Sequence, residues 1–282
     1  MLPVGPQSGK SLRPWQGLDI PQLLKQFSIS PKKTLGQSFL ICDNVADKIV
    51  AAAGHDDVAV EIGAGTGMLT VRLASHYKNV IAIEIDQRLK ALHNMITADF
   101  PNVVFVYEDF LKWIPRPTEI PTVVGNLPYY ITTPILEKVF FQMKPKTMVF
   151  MVQKELGARM VANPGSKTYG ALSVFVQSFT KPEMLFHVTK NCFYPAPEVD
   201  SVVVKLEGIY GYEEVVDPEV LEHVVKRAFQ QRRKMLRSGL KKEPLLLKKA
   251  EEAGIDTSLR PEQITVEQYV RWATLVKRQN TA

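Results

Sequence analysis

A glycine-rich turn follows a strand candidate at residues 58–62. The turn reads Gly63-Ala-Gly65-Thr-Gly67, and Glu61 lies directly before it. Glycines in such a turn let the backbone approach a ligand closely, and the helix that follows directs its N-terminal amides at that ligand. The GxGxG spacing is one residue shorter than the GxGxxG that cradles a dinucleotide pyrophosphate. Together with Glu61, this turn favours S-adenosylmethionine over NAD as the ligand.

The next two strand candidates also end in acidic residues. Glu84 follows Glu61 at close to the roughly 20-residue spacing at which an acidic residue binds the ribose hydroxyls of a nucleoside cofactor. The third strand ends in Glu108-Asp109-Phe110, which places the Asp109 carboxylate to accept a hydrogen bond from an adenine amino group. Three successive strand ends thus carry the groups that a nucleoside cofactor needs, and they predict a cofactor pocket.

The tetrapeptide Asn126-Leu127-Pro128-Tyr129 follows a fourth strand candidate and suits the chemistry of an aromatic amine. The lone pair of such an amine is delocalised into the ring, so the nitrogen is a poor nucleophile. The Asn126 side-chain oxygen and the Leu127 carbonyl can accept both amino hydrogens, since Pro128 favours an extended Leu127, while Tyr129 stacks on the base. We therefore predict methyl transfer to a base amino group without a strong general base. A simple proline turn is the alternative interpretation.

The elements around these residues indicate an α/β fold. Short β-branched runs alternate with segments of helical periodicity, which predicts a mostly parallel, Rossmann-like sheet with helices on both faces. The strand candidates are residues 58–62, 80–85, 103–107, 122–125 and 147–152, with 183–188 and 202–206 completing the sheet as a hairpin-like pair.

Beyond residue 208 the pattern becomes helical only. Helix candidates are residues 219–230, 245–253 and 266–277, and Thr265 with Gln268 predicts a capping box at the start of the last. We predict a flexible N-terminal tail at residues 1–20, a methyltransferase domain at 21–207 and a small all-helical domain at 216–282.

Composition places the chain among ordinary globular proteins, with 45% hydrophobic and 23% charged residues in a length of 282. No run reaches the roughly 18 apolar residues of a membrane span. Cys42 and Cys192 lie far apart in no CxxC spacing and the five histidines are scattered, so we expect neither a disulfide scaffold nor a protein-held metal. The first twenty residues resemble no secretory signal, and we expect a cytoplasmic protein.

Basic residues are concentrated in the predicted helical domain. The chain has a net charge of +6, and Arg232, Arg233, Lys234 and Arg237 begin a basic stretch that only Glu243 interrupts. Such a stretch is compatible with a solvated helix face and with a surface that binds phosphates.

Taken together, the motifs resemble the KsgA-type small-subunit ribosomal RNA adenine dimethyltransferases. The resemblance extends from about residue 22 to the C-terminus and is carried by residues 32–40, 61–67, 126–129, 193–201 and 231–237. It implies that S-adenosylmethionine is bound by Gln37, Ser38, Leu40, Gly63, Gly65, Glu84, Asp109 and Asn126. Ser38 departs from the Asn or His common at its position, so a backbone contact could replace the side-chain contact.

The resemblance also implies a target pocket in which Phe193 opposes Tyr129 across an extruded adenine; a buried loop anchor is the alternative role for Phe193. The implied product is N6,N6-dimethyladenosine at two adjacent adenosines in a hairpin near the 3′ end of 16S rRNA, formed during 30S ribosome biogenesis. Arg232, Arg233, Lys234 and Arg237 would then hold RNA phosphates. We expect a monomer that binds the small subunit, with no DNA or membrane partner.

Three other functions stay open. One is the related large-subunit rRNA methyltransferase that confers macrolide resistance, against which the 193–201 and 231–237 motifs argue. Another is a ribosome-assembly factor that acts mainly by binding. A mitochondrial transcription factor derived from this fold is the most remote, because residues 1–18 carry no convincing targeting signal.

Overall fold

A computed structural model describes residues 19–115, 120–209 and 217–280. Within these residues the strands are β1 Phe39–Leu40, β2 Val58–Ile62, β3 Asn79–Ile83, β4 Val103–Val106, β5 Thr122–Asn126, β6 Thr147–Gln153, β7 Thr180–Val188, β8 Phe193–Tyr194 and β9 Ser201–Gly208. The α-helices are α1 Ile20–Gln26, α2 Asp43–Ala53, α3 Thr70–Ala74, α4 Lys90–Ile96, α5 Thr132–Lys138, α6 Lys154–Met160, α7 Ala171–Phe179, α8 Pro218–Phe229, α9 Leu236–Gly239, α10 Pro244–Glu252 and α11 Val266–Asn280. Residues 1–18 of the predicted tail lie outside the described residues.

The main sheet has the order β4-β3-β2-β5-β6-β9-β7. Strands β4 to β6 run parallel, and β9 and β7 are added antiparallel at one edge. The predicted Rossmann-like α/β fold is confirmed, and so is the late antiparallel pair. Strand β3 ends at Ile83 and not at residue 85, because the chain turns at Glu84, whose carboxylate accepts the backbone N–H of Asp86.

Alternate residues of the central strands belong to two separate cores. Val123 on β5 packs into one core, whereas its neighbour Val124 packs into the other, and Met148 and Val149 on β6 alternate in the same way. Successive side chains of a strand point to opposite faces, so each face of the sheet is covered. This double burial explains why these strands read as continuous apolar runs.

The C-terminal helices share one of these cores. Leu221 on α8 and Trp272 on α11 are fully buried in the same cluster as Val123. The predicted capping box at the start of α11 is confirmed: the Thr265 hydroxyl accepts from the Gln268 backbone at 3.3 Å, and the Gln268 side chain accepts from Thr265 N–H at 3.0 Å. We predict the domain boundary near residues 207 to 216, and of these residues 210–216 lie outside the described part of the chain.

A second, two-stranded sheet joins β1 to β8, with Leu40 opposite Phe193. Beside it, Cys42 and Cys192 form a disulfide across 150 residues of chain, with their Cα atoms 5.1 Å apart. A single bridge is no disulfide scaffold, but the spacing of the two cysteines does not indicate this pairing. A bridge depends on the distance between two Cβ atoms in the fold, which sequence spacing does not contain.

No helix among the described residues is long and apolar enough to cross a membrane.

Candidate active site

A cleft opens at the carboxyl ends of the parallel strands β2, β3 and β5, where open α/β sheets place their ligands. The segment 35–40, which leads into β1, covers one side of it. Most of the predicted site residues line this one cleft: Gln37, Ser38, Leu40, Gly63, Gly65, Glu84, Asp109, Asn126 and Leu127.

The glycine turn closes the bottom of the cleft in a conformation that requires glycine. Gly63 and Gly65 have φ values of +74° and +55°, in the left-handed region that side chains disfavour. A Cβ atom on Gly65 would also lie 3.2 Å from the ring of Phe39. The two glycines therefore allow the backbone, and not a side chain, to face the cleft.

Glu84 is held against this turn. Its Oε2 accepts the backbone N–H of Gly65 and its Oε1 that of Asp86, each at 2.8 Å. The side chain is only 5% exposed, and burial raises the pKa of its carboxyl against the lowering effect of both amides. Glu84 therefore lies at the cleft with a fixed orientation, as binding of a ribose diol requires.

Glu61 is a second buried acid beneath the turn. It is 1% exposed, and its Oε2 accepts a hydrogen bond from the Thr70 hydroxyl. Burial, with a smaller effect of nearby Glu84, raises the pKa of the Glu61 carboxyl to about 8, although the hydrogen bond from Thr70 acts in the opposite direction. Its surroundings therefore favour the protonated form of Glu61 far more than water favours that of an exposed carboxyl.

Gln37 connects the covering segment to the end of β3. Its Nε2 donates to Asp86 Oδ2 at 2.8 Å, and its Oε1 accepts from the backbone of Lys32 at 2.8 Å. Asp86 is in turn ion-paired with Arg88, which lowers the pKa of the Asp86 carboxyl to about 2. The Gln37 side chain thus fixes the position of the segment over the cleft.

Ser38 and Asn126 meet across the cleft. The Asn126 Nδ2 donates to the Ser38 carbonyl at 3.1 Å, and the Ser38 hydroxyl donates to the Pro195 carbonyl at 2.8 Å. The hydroxyl is therefore engaged, which favours a backbone contact from Ser38 to a ligand. Asn126 Oδ1 has no hydrogen bond among the described residues, so it can accept one from a substrate.

Asp109 and Phe110 form another wall. Asp109 Oδ1 accepts from the backbone of Leu111 at 2.9 Å. The buried Lys138, on α5, donates to the carbonyls of Leu111 and Trp113 and lies 5.4 Å from the centre of the Phe110 ring. Lys138 thereby ties the Asp109 loop to the helix that follows the 126–129 motif.

Of the two aromatic residues predicted to form the target pocket, Tyr129 and Phe193, the structure describes the side chain of Phe193 only. Phe193 is 3% exposed and packs in the core beside β1, so its ring is absent from the cleft lining among the described residues. This burial favours the loop-anchor alternative, because Phe193 is paired with Leu40 in the small sheet. The Tyr129 side chain lies outside the described residues. Its neighbour Tyr130, which the sequence analysis does not single out, lines the cleft and is 62% exposed.

The predicted RNA-binding residues are not among the residues that line the cleft; they lie in the turn between α8 and α9 and at the start of α9. Arg233, Lys234 and Arg237 are exposed. Arg232 is half-buried and donates to the Lys167 carbonyl at 2.7 Å, with Glu262 at 3.9 Å. Arg232 thus has a structural partner, whereas Arg233 and Lys234 have no ion pair among the described residues.

The cleft fits a nucleoside cofactor on its own geometry. The carboxylates of Glu84 and Asp109 are hydrogen-bond acceptors at this cleft, as the predicted contacts to ribose hydroxyls and an adenine amine require, and the glycine turn admits close approach of a ligand to the backbone. Ile85, an apolar side chain that is 51% exposed, also lines the cleft. It offers an apolar surface against which the face of a planar ring can pack.

Comparison with known proteins gives a consistent result. The family model of ribosomal RNA adenine dimethylases matches residues 29–278. A ribosomal RNA small subunit methyltransferase A from Thermotoga petrophila is 44% identical over 251 residues, covering 88% of this chain and 93% of that protein. The protein of the same name from Bacillus mycoides is 39% identical over 267 residues, covering 88% and 91%.

Solved structures agree on the fold. A dimethyladenosine transferase from Plasmodium falciparum superposes with a TM-score of 0.76 at 26% identity, covering 86% of this chain and 98% of that one. The 23S rRNA methyltransferase ErmE superposes with a TM-score of 0.65 at 24% identity, covering 85% and 99%. The second match shows the fold alone.

Proposed function

The chain belongs to the ribosomal RNA adenine dimethylase family and is an S-adenosylmethionine-dependent rRNA adenine methyltransferase; we propose that its target is the small subunit. There it would methylate the N6 amino groups of two adjacent adenosines in a hairpin near the 3′ end of 16S rRNA. The product is N6,N6-dimethyladenosine, formed during 30S biogenesis.

One observation carries this proposal: Glu84, Asp109 and Asn126, each at the end of a different parallel strand, line the same cleft. Glu84 would bind the ribose hydroxyls of S-adenosylmethionine and Asp109 its adenine amine. The turn at Gly63 and Gly65 and the segment with Gln37, Ser38 and Leu40 would enclose the rest. When bound, this cofactor supplies an electrophilic methyl group on a sulfonium.

Asn126 and Leu127 would prepare the target nitrogen. The Asn126 Oδ1 and the Leu127 carbonyl would each accept one hydrogen of the adenine amine, which draws its lone pair out of conjugation with the ring. Leu127 is anchored for this role, because its N–H donates to the Met151 carbonyl at 3.0 Å and its side chain is buried. As the nitrogen bonds to the methyl carbon, the carbon–sulfur bond breaks and leaves the neutral thioether, and the excess proton then passes from the amine to water. In the second transfer to the same nitrogen only one N–H remains, so one of the two acceptors is sufficient.

RNA would be held by the exposed side chains of Arg233, Lys234 and Arg237, with Arg232 behind them. Contacts to phosphates dominate affinity for nucleic acids and position the substrate. An adenine in folded RNA must leave its stack to reach a buried methyl donor, and aromatic side chains at the cleft compensate for the lost stacking. Tyr129 and Tyr130 are our candidates for that contact.

We place the enzyme in the cytoplasm as a monomer that acts on assembling small subunits. The names of relatives at 39–44% identity support the small subunit over the large one. Disulfides are rare in a reducing cytoplasm, so in the cell we expect Cys42 and Cys192 as thiols.

The test is transfer of labelled methyl from S-adenosylmethionine to undermethylated small subunits, to large subunits and to naked rRNA in parallel, followed by nucleoside analysis. We expect label as N6,N6-dimethyladenosine in small subunits. The Asn126→Ala variant serves as the control for label that does not depend on the cleft. Label confined to large subunits would overturn the proposal, and tight subunit binding without any label would favour the assembly-factor alternative.

A further inference from the structure

A buried histidine lies directly behind the glycine turn, outside the cleft lining. His93, on α4, is 0% exposed. Its Nε2 lies 2.7 Å from the Gly65 carbonyl oxygen and its Nδ1 lies 2.9 Å from the Tyr107 hydroxyl. The ring stacks on Phe105 with centroids 4.1 Å apart and planes at 7°. All of its polar atoms are therefore committed to specific partners.

These partners determine where the proton of the ring lies. A carbonyl oxygen can only accept, so Nε2 carries a hydrogen, and in the neutral ring Nδ1 then accepts from the Tyr107 hydroxyl. Burial agrees with this assignment, because it lowers the pKa of His93 to about 4 and raises the pKa of Tyr107 to about 12. His93 is thus a neutral ring that donates through Nε2.

Gly65 is consequently held on both sides. Its N–H donates to Glu84 Oε2 at 2.8 Å, and its carbonyl accepts from His93. The two peptide groups that flank Gly65 are therefore fixed, at a residue whose φ of +55° gives the turn its shape. Glu84 is bonded to the peptide group before Gly65 and His93 to the peptide group after it, so the two hydrogen bonds together restrain both backbone dihedral angles of Gly65.

We propose that His93 is a positioning residue for the cofactor: its Nε2–H fixes the Gly65 carbonyl and so maintains the glycine turn and the Glu84 carboxylate in the arrangement that binds the nucleoside. The inference rests on the proposed use of this cleft for S-adenosylmethionine. His93 itself is fully buried and is not among the residues that line the cleft.

Two substitutions separate the hydrogen bond from packing. His93→Gln retains a side-chain N–H close to the position of Nε2 but loses the ring. His93→Phe retains the ring on Phe105 but loses the donor. Tyr107→Phe is the matched control, because it removes the other partner of His93 and leaves the Nε2 donor in place.

The measurement is direct calorimetric titration of S-adenosylmethionine, without RNA, on variants whose folding is checked by thermal unfolding. We expect His93→Phe to raise the dissociation constant by roughly 5- to 15-fold, as for one lost hydrogen bond. His93→Gln and Tyr107→Phe should bind within about threefold of the parent. At saturating cofactor, the single-turnover rate of His93→Phe should recover most of its loss.

Parent-like affinity of His93→Phe would overturn the inference, and so would an equal loss in folded His93→Phe and His93→Gln, since the donor would then not be the cause. Failure of the proposed function has a different signature. In that case the parent protein itself would not bind S-adenosylmethionine, and Glu84→Ala would change nothing.

Discussion

The side-chain amide of Asn126 donates a hydrogen bond to the backbone carbonyl of Ser38, 88 residues away, at 3.1 Å. The contact joins the segment that covers one side of the cleft to the motif at residues 126–129. It also orients the amide, because Nδ2 is engaged and Oδ1 is left to accept. In the proposed function, cofactor binding and target alignment would therefore both depend on the Asn126 side chain.

Asn126→Ala should remove both functions at once. We expect the single-turnover rate of methylation on saturating small subunits to fall by roughly 100-fold or more, as when one polar group that acts in the transition state is removed. Cofactor affinity should fall by less, because only the contact to Ser38 is lost there. Separate calorimetric and single-turnover measurements distinguish the two effects. A parent-like rate would exclude Asn126 as an acceptor for the target amine.

Glu61 should make the folded protein less stable as the pH rises, which is the opposite of the usual effect of a carboxyl group. Its pKa is about 8 in the folded protein, against an ordinary value of 4.5, so the folded state binds more protons than the unfolded state between these limits. The free energy of unfolding should therefore decrease as pH rises from about 4.5 to 8. Glu61→Gln keeps an acceptor for Thr70 but removes this titration.

The comparison is urea unfolding of the parent and Glu61→Gln across pH 5 to 9. The variant should gain on the parent by roughly 2–5 kcal/mol between the two ends of the range. Parallel curves would show that Glu61 ionises with its ordinary pKa in the folded protein.

The disulfide should stabilise oxidised protein. A bridge between Cys42 and Cys192 closes a loop with a sequence separation of 150 residues, and such cross-links contribute typically about 2–4 kcal/mol by restricting the unfolded chain. We expect a reductant to lower the melting temperature of the parent. The Cys42→Ser/Cys192→Ser double variant is the control and should not respond. An equal response of both proteins would mean that the reductant acts elsewhere.

Parts of this site could be predicted from sequence because they are local. The order of strand, glycine turn and acidic strand end places Gly65, Glu84 and Asp109 at one edge of a parallel sheet, whatever the rest of the chain does. The Thr265 cap is local in the same way. Most of the cleft could thus be predicted from motifs within single segments and from the rule that ligands bind at the carboxyl ends of parallel strands.

Other parts depend on segments that are distant in sequence. The Cys42–Cys192 bridge, the bond from Gln37 to Asp86 and the partners of His93 arise only when separate elements pack together. The position of His93 in the sequence does not indicate that its ring will lie against the Gly65 carbonyl. The ring of Phe193 presents the same problem, since an aromatic residue before two prolines is compatible with both an open wall and a buried anchor.

The basic residues beyond α8 should differ in their contribution to RNA binding. Arg233→Ala/Arg237→Ala removes two exposed cations and should reduce the salt dependence of rRNA binding by about two in log–log slope, since each lost phosphate contact lowers it by about one. Arg232→Ala should affect the slope less and thermal stability more, because Arg232 is bonded to the Lys167 carbonyl. An unchanged slope in the double variant would show that these two arginines face solvent in the complex.

Substitutions of Phe193 can distinguish a role of its ring in the target pocket from a role in the core. Its ring is 3% exposed, and on β8 it lies opposite Leu40, one residue from the disulfide. Truncating a buried phenylalanine to alanine costs about 3–5 kcal/mol, so Phe193→Ala should be strongly destabilised, and any loss of activity in it would be uninformative.

Phe193→Leu fills most of the space and should retain a folded protein, but it cannot stack on a base. If the ring is a core anchor, Phe193→Leu should transfer methyl groups at close to the parent single-turnover rate on saturating small subunits, despite a modest loss of stability in urea. Loss of a stacking wall would instead weaken alignment of the base by roughly 1–3 kcal/mol while the fold survives. A well-folded Phe193→Leu variant with methyl transfer slowed to that extent would contradict the core-anchor role. It would show that the segment around β8 opens when RNA binds and that the Phe193 ring then enters the target pocket.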